Sequence, residues 1–562
     1  MNAPLPPIWT TGTTEAIRTG TWRAALPRHI RAPSPCHQAC PVDGDIAQWI
    51  ALARERDWRG AWLTLARHNP FPAIAGRICH HPCESACNRL GYDEPISICK
   101  LERAVGDQAI EQGWGHAPPA QERRERVAIV GGGPSGLSAA FQLRRMGYAV
   151  TLIEARAELG GLMRHGIPSY RLARAVLDAE IARIVAMGMD VRLGEKLDTP
   201  AAWDAVRATH DGVYVATGAQ QHKRLPALDY RRPWVVEGAA YLAAANAGAP
   251  PALGRRLIVI GGGSAALDAA RSARRAGHEV TILALETRAQ MPAQHEEVEE
   301  ALEEGIALVD GAMLVRACEA GGAVCLECTR VRFEPGARRG QFTVAPVEGS
   351  AFELAAEAIV TSIGQDPDLT ALGAAYPLNG ALLAVDARQA SGVEGVWAGG
   401  DVASMARFVT DAIGQGKRAA FDIDRVLRAR AGETATALAV GPGAPPARTV
   451  ARDEAVPLAA IAPFYHPKRA RAADHRLDTA TRLARNAEVQ LGLGLDEALA
   501  ETVRCFSCGT CIRCDNCVVV CPDLAVRRVG DGYEVLGDYC KGCGLCVKEC
   551  PTGSMDMVEE LR

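Results

Sequence analysis

Val127-Ala-Ile-Val130, followed directly by Gly131-Gly132-Gly133-Pro134-Ser135-Gly136, is the stretch on which the reading of this chain turns. A β-type run meets a Gly-x-Gly-x-x-Gly loop. An apolar helix is expected over Leu137 to Met146, and a second strand over Ala149 to Ile153. In such a turn Gly131 permits the tight bend and Gly133 lets a pyrophosphate approach the backbone. The helix opened by Pro134, Ser135 and Gly136 supplies the partial positive charge of its N-terminus. Glu154 ends the second strand, where a carboxylate can accept hydrogen bonds from ribose hydroxyls. The stretch therefore predicts one βαβ dinucleotide-binding unit.

The same order recurs about 130 residues on, a spacing that suggests a duplicated unit. Leu257-Ile-Val-Ile260 leads into Gly261-Gly262-Gly263-Ser264-Ala265-Ala266, an Ala-rich helix and the strand Val280-Thr-Ile-Leu283. Here Gly261, Gly263, Ser264 and Ala266 take the loop positions. Aligning the units on Gly147 and Gly277 sets Ala284 opposite Glu154, with Glu286 two residues further on. The unit with the intact acid is expected to hold FAD and the other a nicotinamide nucleotide. A late Gly395-Val-Trp-Ala-Gly-Gly-Asp401 supports this, because a strand ending in Gly400 lets Asp401 reach the ribityl chain. Ala412-Ile-Gly-Gln415-Gly416 then begins a helix whose positive end can face the flavin pyrimidine.

Nineteen cysteines are the unusual feature of the composition, and ten of them lie between Cys505 and Cys550. Cys511, Cys514, Cys517 and Cys521 follow Cys-x2-Cys-x2-Cys-x3-Cys-Pro, and Cys540, Cys543, Cys546 and Cys550 repeat it. A [4Fe-4S] cubane needs four soft thiolates. By the bacterial ferredoxin pattern, one cluster takes Cys511, Cys514, Cys517 and Cys550, and the other takes Cys540, Cys543, Cys546 and Cys521. A pair of structural zinc sites is the competing reading.

Length and composition set the frame. Three or four domains fit 562 residues. The formal charge of -4, from 62 Lys+Arg against 66 Asp+Glu, points to neither nucleic acid nor an anionic membrane. No apolar N-terminal stretch could serve as a signal or membrane segment, so the thiols are expected as ligands in a reducing, cytoplasmic compartment. The expected organisation is an arm over 1–30, a helical iron–sulfur domain over 31–118, an FAD-binding part over 122–228, an NAD(P)-binding domain over 229–352, a second FAD part over 353–430, a linker and helical segment over 431–502 and a ferredoxin domain over 503–562. The linker, with Pro442, Pro445, Pro446 and the solvated run Lys468-Arg469-Ala470-Arg471, is expected to cross the surface, and a helix to follow near Leu483 to Thr502. The fold class is α/β: two Rossmann-like three-layer domains, with an N-terminal α-helical Fe-S domain and a C-terminal ferredoxin-like α+β domain.

From about Cys36 to Val426 the chain resembles the small, NAD(P)H-oxidising subunit of glutamate synthase and its relatives in the N-terminal half of dihydropyrimidine dehydrogenase and in bifurcating ferredoxin:NADP oxidoreductases. The resemblance is carried by Cys36-x3-Cys40-Pro41, Asn69-Pro70-Phe71-Pro72, Cys79-x3-Cys83-x3-Cys87, Gly160-Gly161-Leu162 with Gly166-Ile167-Pro168, Ala216-Thr217-Gly218, Met291-Pro292-Ala293, Ile363-Gly364-Gln365 and Gly400-Asp401. It implies cofactor contacts at Gly161, Leu162, Thr217, Gly218 and Gly364. It also implies a first N-terminal [4Fe-4S] cluster on Cys40, Cys79 and Cys83, with Glu102 as a fourth, non-cysteine ligand. A second such cluster normally uses a Cys-x2-Cys pair just upstream of Cys36, where this chain has Arg28 and Arg31. Cys505-x2-Cys508 lies in a segment similar to the missing one. Either this pair joins Cys36 and Cys87 in a further cluster, or it is a set of extra cysteines or a zinc pair.

The resemblance implies hydride transfer from NAD(P)H to FAD and single electrons onward to clusters. NADH is expected over NADPH, because NADPH-using relatives carry a Tyr-Arg-Arg run where this chain has Ala284-Leu285-Glu286, with Arg288 nearby; NADP remains possible. No Ser-His-Asp set, metalloprotease motif or activated cysteine stands out. The expected role is an electron-transfer subunit in a hetero-oligomer, serving a ferredoxin or a catalytic partner such as a 2-oxoacid or aromatic-pathway oxidoreductase. The alternatives are the glutamate synthase small subunit itself and a non-catalytic scaffold that wires clusters together.

Overall fold

The computed structural model describes residues 18–20, 23–320, 323–337, 339–373, 375–433, 450–530 and 532–560. Most of the proline-rich part of the expected linker, including Pro442, Pro445 and Pro446, lies outside them.

Two five-stranded parallel sheets form the body. The first runs Val396–Ala398, Gly212–Val215, Arg126–Val130, Ala149–Glu154, Asp190–Leu193. Its central residues Val127, Ala128 and Ile129 are fully buried, as a parallel strand covered on both faces requires. The second runs Ala307–Val309, Glu279–Leu283, Arg256–Ile260, Ala358–Thr361, Val235–Glu237. The unit expected to bind the nicotinamide nucleotide is thus an insertion between two parts of the unit expected to hold flavin. Ala358–Thr361, placed in the second flavin part by the boundary at 353, pairs instead with Leu257–Ile260 of the nucleotide sheet. A short apolar run carries no label for which of two similar sheets will accept it. A three-stranded antiparallel sheet, Ala312–Ala320, Ala323–Pro335 and Phe342–Ala356, projects from this unit.

Helices Ile46–Arg54, Trp58–Ala66, Pro72–Ile78 and Ile98–Glu111 make the N-terminal domain around the buried Trp49 and Trp62. Three expectations change here. Residues 25–30, read as part of an arm, belong to the strand Ala25–Arg31, which pairs antiparallel with the C-terminal strand Met555–Glu559 and parallel with Val450–Ala451. The sequence signal was weak because the strand's partners are remote. Nor is the stretch after residue 450 a solvated connector. Arg471 pairs with Glu84 and donates to Ser97 Oγ at 2.6 Å, and Glu488 takes both Arg77 (2.7 Å) and Arg103 (3.0 Å) of the helical domain. The expected helix near Leu483 to Thr502 is two, Thr479–Ala484 and Leu495–Thr502, parted by the strand Gln490–Gly492. Ala498 of the second is buried in the core that holds Trp49 and Trp62. Among the described residues no helix is long and apolar enough to cross a membrane.

Candidate functional site

The first glycine loop turns out of Val130 with Gly131 at φ 113°, a conformation side chains resist, and a Cβ there would stand 2.2 Å from Ala216 O. The chain then enters the helix Pro134–Arg145. Glu154 is buried beneath the loop: Gly132 N donates to its Oε2 at 2.7 Å and Arg156 N to its Oε1 at 2.8 Å. Backbone donors thus fix the carboxylate while leaving lone pairs free. Gly161, at φ 52°, stacks on Gly133, whose own added Cβ would meet nothing nearer than Gly161 Cα at 3.9 Å. Leu162 opens the short helix Leu162–His165 and is exposed. Thr217 and Gly218 follow the strand beside the loop, Gly218 at φ 74°.

The late Gly-Asp element closes the same cradle. Gly400, at φ 76°, lies against Ser135, and its N–H donates to Gln415 Oε1 at 2.6 Å. Burial pushes the Asp401 carboxyl up from its ordinary range. The helix containing Ala412 and Gln415 begins three residues earlier than expected and runs Val409–Arg430. Gly416 lets it cross the first helix so closely that a Cβ would stand 2.2 Å from Ser135 O, and Ser138 Oγ donates to Ile413 O at 2.8 Å. The Ser135–Tyr214 hydroxyl pair, 2.6 Å apart, joins loop to sheet. Tyr214 escaped the sequence reading because a buried aromatic in a strand reads as core.

In the second unit Gly261 (φ 139°) and Gly263 start the helix Ser264–Arg275, in which Ala266 is fully buried. A Cβ on Gly262 would stand 2.5 Å from Glu286 Oε2; on Gly132 it would stand 3.1 Å from Glu154 Oε2. The two carboxylates therefore reach the same place relative to their loops despite the two-residue offset. Burial pushes the Glu286 carboxyl up, and Arg288 is engaged by Glu299. Gly364, at φ 100°, lies on the return from this unit to the flavin sheet.

Apart from Cys99, Cys318, Cys325 and Cys328, the cysteines gather in four groups of neighbouring thiols. Cys40 and Cys79 face Glu102 and each other, and Cys83 faces Cys79 and Cys40. Burial pushes Glu102 up to about 7, and Asn69 Nδ2 donates to its Oε1 at 2.7 Å. Cys36 faces Cys87, Cys505 and Cys508. Cys511, Cys514 and Cys517 face Cys550, and Cys540, Cys543 and Cys546 face Cys521. All nineteen are free thiols, and Cys514 and Cys543 are exposed. Among the described residues no group of three or more His, Cys, Asp or Glu is set to hold a single metal ion. Soft thiol donors around one volume, four in three of the groups and three beside Glu102 in the first, suit the cubane. Cys99, buried beside Cys79, was not on the expected ligand set. The first group abuts the helix Val409–Arg430: Cys79 Sγ lies 3.6 Å from Thr410 Oγ1, and Lys417 Nζ donates to Val42 O at 2.6 Å. Neither Thr410 nor Lys417 carries a sequence signal, since each matters only through this contact.

Comparison with known proteins adds three family models. Pyridine nucleotide-disulphide oxidoreductase matches residues 125–416, dihydropyrimidine dehydrogenase domain II, 4Fe-4S cluster, matches 30–114, and a 4Fe-4S binding domain matches 533–556. Among curated proteins, the chain is 34% identical to the NADP(+)-dependent formate dehydrogenase subunit beta of Moorella thermoacetica over 70% of itself and 60% of that protein. It is 31% identical to the NAD-dependent dihydropyrimidine dehydrogenase subunit PreT of Escherichia coli K12, over 70% of itself and 91% of that chain. It is 31% identical to the glutamate synthase [NADPH] small chain of Mycobacterium tuberculosis, over 73% and 88%. The chain spans 60–64% of the length of the first curated relatives it matches. Among solved structures, Mycobacterium tuberculosis FprA in complex with NADPH aligns with a TM-score of 0.47 at 16% identity, covering 56% of this chain and 87% of that one.

Proposed function

The chain belongs to the pyridine nucleotide-disulphide oxidoreductase family, and from that membership we propose that it moves electrons between NAD(H) and the iron–sulfur clusters of a partner. FAD, NAD(P) and [4Fe-4S] clusters are the cofactors of its domains. The observation that carries the reading is the contact between the flavin cradle and the first thiol group, through Thr410 and the helix Val409–Arg430. Bound FAD supplies the conversion of a two-electron hydride into single electrons.

The chain's own residues do the positioning. The Gly131 and Gly261 loops would seat pyrophosphates on helix N-termini, and Glu154 and Glu286 would accept ribose hydroxyls. Asp401 and Gln415, held together by Gly400, would orient the flavin's ribityl and ring ends. Cys40, Cys79, Cys83 and Glu102 would ligate the proximal cluster. Cys511, Cys514, Cys517 and Cys550, and Cys540, Cys543, Cys546 and Cys521, would ligate two more near the surface, where the exposed Cys514 and Cys543 suit delivery to a ferredoxin or a bound catalytic subunit. Relatives named as subunits support a partner subunit. A 2-oxoacid or aromatic-pathway oxidoreductase in the cytoplasm fits this role. The glutamate synthase small subunit is the second reading, supported by the share of that small chain this one covers.

Anaerobic mixing with NADH or NADPH tests the reading. The flavin absorbance should bleach, clusters should become EPR-visible, and benzyl viologen should be reduced by the isolated chain. A protein that binds flavin and iron but stays oxidised under excess NADH and NADPH would overturn it.

A further inference from the structure

We propose that Cys36, Cys87, Cys505 and Cys508 ligate one additional [4Fe-4S] cluster, built from opposite ends of the chain, which joins the helical domain to the ferredoxin domain. The inference deepens the electron-transfer reading above and rests on it for the cluster's role, but not for its existence.

The four thiols converge on one cavity, lined also by apolar groups such as Ile46, Ile50 and Phe506 and by the polar Ser34, Asn88 and Arg89. Cys36 and Cys87 come from the helical domain; Cys505 and Cys508 arrive on the turn that follows the helix Leu495–Thr502. Three of the four, Cys36, Cys505 and Cys508, are buried and none is in a disulfide. Hydrogen-bond donors already face the sulfurs: Ser507 N lies 3.4 Å from Cys505 Sγ, and Asn88 Nδ2 lies 3.4 Å from Cys508 Sγ. Soft donors, N–H groups aimed at sulfur and a largely apolar wall are what a cubane requires.

The placement gives the cluster a task. Cys83 of the proximal group is within electrostatic reach of Cys36, and Cys508 precedes Cys511 of the next group by three residues. Gly509 N donates to Thr552 O at 2.7 Å, which fixes that passage against the ferredoxin domain. The added cluster therefore stands between the flavin-side group and the two surface groups, and electrons pass through it within one polypeptide.

Iron and acid-labile sulfide per FAD, measured on anaerobically purified and reconstituted full-length protein, test the proposal. Wild type should hold about 16 iron, and Cys505→Ser, Cys508→Ser and Cys36→Ser about 12 each. The double variant Cys36→Ser/Cys505→Ser should also hold about 12, because both residues serve one cluster. Cys318→Ser, on the projecting sheet, should keep the wild-type content. Stoichiometric zinc in place of iron, a wild-type count of about 12, or a double variant falling to about 8 would each overturn the proposal. Should a variant lose its FAD through misfolding, the wild-type count, read by Mössbauer spectroscopy, still decides. Failure of the underlying reading looks different: full iron with no flavin bleaching by NADH or NADPH. In the folded variants flavin reduction by NADH should stay at the wild-type rate while reduction of the surface clusters slows at least tenfold.

Discussion

Replacing Glu286 by Gln should shift the coenzyme preference from NADH toward NADPH. The side chain is partly buried with Oε2 against Gly262, the place where the ribose of a bound nucleotide would lie. A 2′-phosphate there would meet the carboxylate. With a separation of roughly 6 Å and an effective dielectric of about 40, each pair of unit charges costs about 1.4 kcal/mol. A phosphate with nearly two charges then costs about 2–3 kcal/mol, or about 30- to 160-fold in binding. Arg288 offsets little of this because Glu299 engages it. The amide of Gln can still bond ribose hydroxyls, so NADH should lose only about fivefold as a charge-assisted bond becomes a neutral one. Viologen reduction gives kcat/KM for both coenzymes, and the NADPH/NADH ratio should rise at least thirtyfold in the variant. Burial pushes the Glu286 carboxyl up, so on acidification it gains its proton earlier than an ordinary carboxylate. The wild-type ratio should accordingly rise as pH falls, and that of the variant should not. A wild-type preference for NADPH, or a ratio unmoved by the substitution, would refute the reasoning.

Asp401→Ala should weaken FAD retention about ten- to hundredfold, the worth of a charged hydrogen bond, as read by the flavin remaining after gel filtration. Glu304→Gln should lower stability by about 3–5 kcal/mol, seen as a fall in Tm, because its buried carboxylate answers both Arg271 and Arg275. Its pKa is lowered in the fold, so this stabilisation is present above the ordinary carboxylate range and is lost as pH falls; the variant's Tm deficit should shrink in acid. Cys543→Ser should cost about four irons while leaving NADH-dependent flavin reduction intact, since its thiol lies in the group formed with Cys540, Cys546 and Cys521.

Both glycine loops, the acid Glu154, the late Gly-Asp and the ferredoxin cysteine runs were legible in the amino-acid order, because each is a local pattern whose chemistry depends on spacing along one short segment. Two features needed the fold. Glu286 aligns two residues out of register with Glu154, yet its carboxylate reaches the equivalent place, since the course of the chain after Leu283 sets where the side chain arrives. Ala358–Thr361 could have joined either parallel sheet, and only packing against Leu257–Ile260 settled which.

The wrapping of the C-terminal third belongs to the tertiary structure for a similar reason. Arg471 reads as part of a solvated run until Glu84 stands opposite it, and Glu488 gains its meaning only from Arg77 and Arg103. The amino-acid order determined which atoms this protein can offer to a nucleotide and to iron, because glycine, carboxylate and thiol chemistry belongs to the residue. Tertiary structure alone decided that Cys36 and Cys508 face one cavity and that Thr410 touches Cys79, because contacts between remote segments depend on how whole helices and sheets pack, which no local spacing records.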